Sequence, residues 1–139
     1  MAVVADTGAI YDSSDTYHLS VCAVVEREPG SIYVPVAILA EIDYLLLEYL
    51  GPQAELDFLK SIDSGAFTLE PLTTVDFTRC LEIIEQYRDL KLGLADAAVM
   101  ATAERLGVRR ILTLDERDFR AVLANDGQPF ILLPSDESP

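Results

Sequence analysis

A helix that runs into a buried strand with only a glycine between them leaves a chain few folds to choose from, and residues 92–119 read that way. Leu94, Ala98, Ala101 and Leu106 recur at helical spacing, and Gly107 stands where a left-handed cap would end the helix. Val108 to Leu114 is a short apolar run closed by Asp115, the pattern of a strand covered on both faces. Asp96 then falls in the first turn of the helix, and Asp115 just beyond the carboxyl end of the strand. In open α/β sheets ligands bind outside the carboxyl ends of the strands, so both acids point toward the expected crevice.

The rest of the chain repeats that alternation. Residues 2–5 form a β-branched run ended by Asp6-Thr7-Gly8, where Asp6 and Thr7 either cap the next helix or belong to a site. Residues 12–15 are a polar break, and 17–28 an amphipathic helix with Leu19, Cys22 and Val25 inward. His18, the only histidine, has no partner for a metal site and reads as a structural residue at a helix start. A turn at Pro29-Gly30 leads to a strand at 32–34, and Pro35 suits the first position of the helix 36–50. On that helix Glu41 shares a face with Ala37, Ile38, Tyr44 and Leu45, so it either reaches out to solvent or needs a partner. Beyond Gly51-Pro52 come a helix at 54–62 (Leu56, Leu59, Ile62) and a strand at 67–69. A helix follows at 73–87, capped by Thr73 or Thr74, with Phe77, Leu81 and Ile84 inward. A short helix at 119–123, a turn at 125–128 and a strand at 130–133 complete the pattern. The expected fold is α/β: a three-layer α/β/α sandwich around a central, mostly parallel sheet.

With 139 residues, half of them apolar, the chain has enough material for one core. We place that domain at residues 1–133 and read the polar segment 134–139 as a disordered tail. No window approaches ~18 uninterrupted apolar residues, so no membrane span is expected. The first residues carry no secretory pattern, which points to the cytoplasm. Cys22 and Cys80 read as reduced buried thiols, a disulfide being the alternative. A net charge of −14 argues against a protein that coats nucleic acid. Yet seven of the ten basic residues lie between positions 88 and 120, either as solvated surface or as a phosphate-contacting rim in which Arg110 and Arg117 are the candidates.

Asp6, Glu41, Asp96 and Asp115 would all face one crevice. Four crowded carboxylates repel one another and lose hydration unless a cation neutralises them. With one histidine and no paired cysteines the donors would all be oxygen, which suits Mg²⁺ or Mn²⁺ and not zinc. Rival classes lack their marks. A receiver domain needs a mid-chain aspartate and a late lysine, a haloacid-dehalogenase-type phosphatase Asp-x-Asp after the first strand, and a dinucleotide-binding fold Gly-x-Gly-x-x-Gly.

The set Asp6-Thr-Gly, Glu41 in a long apolar helix, Leu-Ala-Asp96-Ala and Thr113-Leu-Asp115-Glu-Arg-Asp118-Phe resembles the PIN-domain nucleases. Within them it is most similar to the VapC-type ribonuclease toxins of bacterial toxin–antitoxin pairs, over essentially the whole chain short of the tail. The resemblance implies metal-dependent cleavage of RNA, with Asp6, Glu41, Asp96 and Asp115 as the metal-site acids. It implies supporting roles for Thr7, Thr113 and Asp118, a homodimer, and an antitoxin as protein partner. Hydrolysis by a metal-activated water would leave a 5′-phosphate and a 3′-hydroxyl. A catalytically silent PIN domain that binds proteins, or a PIN ribonuclease of RNA processing without an antitoxin, is the alternative. The link between the Asp6 motif and the next helix is shorter than in many relatives, and the acidity is unusual for a protein that acts on RNA.

Overall fold

The computed structural model describes residues 2–11, 26–133 and 135–136. His18, Cys22 and most of the helix expected at 17–28 lie outside the described residues. Five strands, β1 (Val3–Ala5), β2 (Ile32–Pro35), β3 (Thr68–Glu70), β4 (Arg110–Leu112) and β5 (Ile131–Leu133), form one sheet in the order β3-β2-β1-β4-β5. Every pairing is parallel, with Val3 opposite Ile32 and Val4 opposite Ile111. The helices are α1 (Thr7–Tyr11), α2 (Val36–Leu50), α3 (Pro52–Asp63), α4 (Thr74–Gln86), α5 (Leu94–Leu106) and α6 (Glu116–Ala121), with a 3₁₀ turn at Arg88–Leu90.

Connections between parallel strands are right-handed. The chain moves one way from β1 to β3 and the other way from β4 to β5, so the helices divide between the two faces. The expected α/β/α sandwich follows. Val3, Val4, Ala5, Ile32 and Val34 are buried, as strands covered on both sides must be. The direction changes between β1 and β4, which opens a crevice at their carboxyl ends.

α5 lies deepest. Ala97 to Ala103 are all buried, and the alanines let the helix backbone come close to β1 and to α4. Gly107 ends it with φ 68°, the left-handed cap expected from the sequence. α4 begins with a capping box, in which Asp76 N–H donates to Thr73 Oγ1 and Thr73 N–H donates to Asp76 Oδ2.

Several expectations are corrected. Pro35 ends β2 and precedes the first residue of α2, and the short helix before β5 spans 116–121, not 119–123. α4 buries Asp76, Cys80 and Ile83, while Phe77 and Leu81 are exposed. The buried stripe is thus turned by about 100°, one residue of helix, from the one read off its large apolar side chains. The cause is polar: Arg105 at the end of α5 donates to both oxygens of Asp76 (2.9 and 3.0 Å), pairs with Glu70 (2.8 Å) and reaches Pro71 O. Beside it Arg79 holds Glu104, whose side chain is 3% exposed. α3 buries Phe58 against Phe67, while Leu56 and Leu59 are exposed. Cys80 is a free, buried thiol. No helix among the described residues is long and apolar enough to cross a membrane.

Candidate active site

Asp6 follows β1 directly, and its N–H extends the ladder to Leu112 O (3.0 Å). Asp6 is 6% exposed, and no basic side chain among the described residues bonds its carboxylate. The group that holds it is Thr113, the first residue after β4, whose Oγ1 donates to Asp6 Oδ2 at 2.9 Å. The same hydroxyl accepts from the N–H of Asp115 at 3.1 Å, so one buried oxygen sets the orientation of one acid and the loop that carries another. Thr7 and Thr113 bond Asp6, and Asp118 acts on Asp96. Thr7 Oγ1 and Asp118 Oδ1 are buried with no hydrogen-bond partner among the described residues.

Asp96 enters from the first turn of α5. Burial raises its pKa most, and the charges of Asp6, Asp118 and Asp115 add to that, with Asp118 close enough to share a proton. Together they push the group to about 7. Asp6 is raised too, again first by burial; Glu41 and Asp115 add repulsion, and hydrogen bonds from Thr7 and Thr113 oppose it. The fold thus brings Asp6, Asp96, Asp115 and Asp118 together, and Glu41 acts on Asp6 from α2.

Of the two settings open to Glu41, the structure shows the solvent-facing one. The buried stripe of α2 is Ile38, Ile42 and Leu46, while Glu41 is exposed and its neighbour Tyr44 is 61% exposed. Exposure removes the desolvation argument made for it. Its closeness to Asp6 keeps it at the crevice.

The two candidate arginines separate. Arg117 is in the first turn of α6, two residues from Asp115 and 3.7 Å from Asp118. Arg110 opens β4 at the opposite, amino-terminal end of the strands, where it acts on Glu28 ahead of β2. Expecting it beside the acids treated neighbours in sequence as neighbours in space; a strand separates them.

No three acidic, histidine or cysteine side chains among the described residues are arranged to hold a metal ion as they stand. The acids are electrostatic neighbours. The donor chemistry nevertheless fits a hard cation that keeps part of its water: carboxylates and hydroxyls only, two of them buried and unsatisfied.

Comparison with known proteins places the chain in a family. The family profile for the PIN domain matches residues 3–124. The chain is 31% identical to Ribonuclease VapC26 of Mycobacterium tuberculosis over 135 residues, 95% of this chain and 100% of that one. Among solved structures it is similar to M. tuberculosis VapC20, described as a Sarcin-Ricin loop cleaving toxin, with TM-score 0.69 and 17% identity. That match covers 84% of this chain and 92% of the other. It is also similar to a toxin–antitoxin complex from Klebsiella pneumoniae, with TM-score 0.67 and 17% identity over 87% and 92% of the two chains.

Proposed function

The chain belongs to the PIN-domain family, and from that membership we infer that it is a divalent-metal-dependent endoribonuclease, the toxin of a bacterial toxin–antitoxin pair. The observation that carries the catalytic part is Asp96, a carboxyl pushed to about 7 by burial among other acids. Structural ion pairs lower carboxyl pKa values, and a surface acid has no reason to move; raised acids clustered in a cleft mark functional sites. The similarity to a protein named as a ribonuclease supplies the substrate class, and the similarity to toxin–antitoxin complexes supplies the partner.

Asp6, Asp96 and Asp115, with Glu41 at the edge, are the residues that would hold Mg²⁺ or Mn²⁺. When bound, such an ion supplies positive charge for the phosphate and acidifies a water. The chain does the rest. Thr113 fixes the Asp6 carboxylate and the Asp115 loop in one geometry. Asp96, buried and surrounded by the charges of Asp6, Asp118 and Asp115, holds its proton up to about pH 7. Attack by water in line with the leaving oxygen gives a 5′-phosphate and a 3′-hydroxyl. Cleavage of single-stranded RNA by the purified protein in Mg²⁺, abolished by EDTA and restored by Mn²⁺, is the expected result. Cleavage that survives EDTA would sink the metal-dependent reading, and no cleavage under either condition would favour a protein-binding module.

α2 and α3 leave Tyr44, Leu47, Tyr49, Leu50, Leu56 and Leu59 exposed. This apolar surface supports self-association as a homodimer and the docking of an antitoxin segment.

A further inference from the structure

All ten lysines and arginines lie among the described residues, so each positive charge can be placed. Four are committed to carboxylates: Arg79 to Glu82 and Glu104, Arg105 to Glu70 and Asp76, Arg109 to Asp126, and Arg120 to Glu116 and Asp136. Three stand at the amino-terminal end of the strands, opposite the acids. Arg110 opens β4, and it acts with Arg27 on Glu28. Lys60 is in the last turn of α3, and the turn after that helix is bonded to Gly30 through Ala66.

Three remain. Arg88 and Lys91 are exposed in the turn that leads into α5, at the end of the helix that bears Asp96. Arg117 is 86% exposed in the first turn of α6, and its contact with Asp118 is long, 3.7 Å, beyond hydrogen-bond distance. Lys91 is also the sole described residue other than glycine with positive φ, 54°, in a turn closed by its own N–H to Arg88 O.

We propose that a single RNA strand crosses the acid cluster from the 88–91 turn to the start of α6, with Arg88 and Lys91 holding phosphates on one side of the cleaved bond and Arg117 on the other. The proposal rests on the ribonuclease reading. Its physical ground is the charge of the molecule. At a net −14 most of the surface repels a polyanion, and an arginine already bonded to a carboxylate must lose that bond to take a phosphate. The strand is left with three contacts and one path.

Few contacts mean a shallow salt dependence. Each phosphate neutralised on a single strand contributes about 0.7 to the slope of log K against log salt, so three give roughly −2. The test is fluorescence anisotropy with a short, phosphorothioate-linked single-stranded RNA over a series of salt concentrations. The protein is compared with a variant carrying Arg88→Ala and Lys91→Gly; glycine suits the left-handed turn, so this variant removes charge without straining the backbone. The slope should fall in magnitude from roughly −2 to roughly −0.7, affinity at low salt should drop, and Lys60→Ala should leave both unchanged. Cleavage of natural RNA with an unchanged slope in the double variant overturns the path alone. Neither binding nor cleavage by the unaltered protein overturns the ribonuclease reading and the path with it.

Discussion

Asp96 shows how a residue suited to chemistry burdens the fold that carries it. A carboxyl that titrates near 3.9 in the unfolded chain and near 7 in the folded one binds a proton more readily when folded. Folding is therefore disfavoured progressively as pH rises from about 4 to about 7, and the full cost is present above the folded pKa. Asp96→Asn keeps the shape and removes the charge. It should abolish RNA cleavage and make the metal-free protein more stable at neutral pH. The gain should be about 1–2 kcal/mol, well below the nominal shift because the group is partly solvated. That gain should vanish as pH falls toward 4, and Mg²⁺ should stabilise the unaltered protein more than the variant. Thermal melts in EDTA and in Mg²⁺ between pH 4 and 8 measure all of this; a less stable variant at pH 7 would return Asp96 to an ordinary helix-start aspartate. Asp6 carries the same kind of burden, eased by one hydroxyl from Thr113.

At the scale of elements the informative case is α4. Its large apolar residues Phe77 and Leu81 face out, and its buried face is set by an aspartate. Burial alone would raise the Asp76 carboxyl, but hydrogen bonds from Thr73 and Arg105 outweigh it and hold the pKa below its usual value. The Arg105 guanidinium thereby ties the start of α4, the end of α5 and the end of β3 into one joint. Asp76→Ala removes a capping box and strands the arginine against Glu70. It should destabilise the protein by about 3 kcal/mol, with the cap contributing about 1 kcal/mol and the broken pair the rest. Because the joint lies at the far end of α5 from Asp96, cleavage per mole of folded protein should not change. Urea unfolding with a parallel activity assay separates the two effects, and lost activity in a fully folded variant would show that the joint also positions the acids.

For the whole molecule, charge and apolar surface work against each other. The −14 charge keeps chains apart, yet α2 and α3 expose two tyrosines and four leucines on adjoining helices. A surface of that kind is expected to be covered. The protein should sediment as a dimer at roughly 10 μM, where an interface of moderate affinity is filled. Leu47→Glu should shift it toward monomer without lowering its stability by more than about 0.5 kcal/mol, as befits an exposed position. A monomer at that concentration, or a dimer indifferent to Leu47→Glu, would remove self-association through this face.

What the sequence determined by itself is what local periodicity and chain connectivity control. The alternation of strand and helix, the Gly107 cap, the Thr73 cap and the siting of Asp6 and Asp115 just past strand ends all depend on neighbours within a turn or two. The all-parallel sheet then follows from that alternation, and the crevice from the reversal of strand order between β1 and β4. Only the tertiary structure decided which side of an amphipathic helix is buried and which charges keep company. α4 was misread because a long-range ion pair, Arg105 with Asp76, outweighs the apolar count on any one face. The basic residues between 88 and 120 looked like one rim, but β4 and α5 carry them to different ends of the molecule. Arg110 lies at the opposite, amino-terminal end of the strands from the acids, whereas Arg88 and Lys91, not singled out in the sequence, stand beside Asp96. The raised pKa of Asp96 could not be read locally either, since it arises from burial and from acids brought in from 90 residues before it and about 20 after it. Charge acts through space, and only the fold sets those distances.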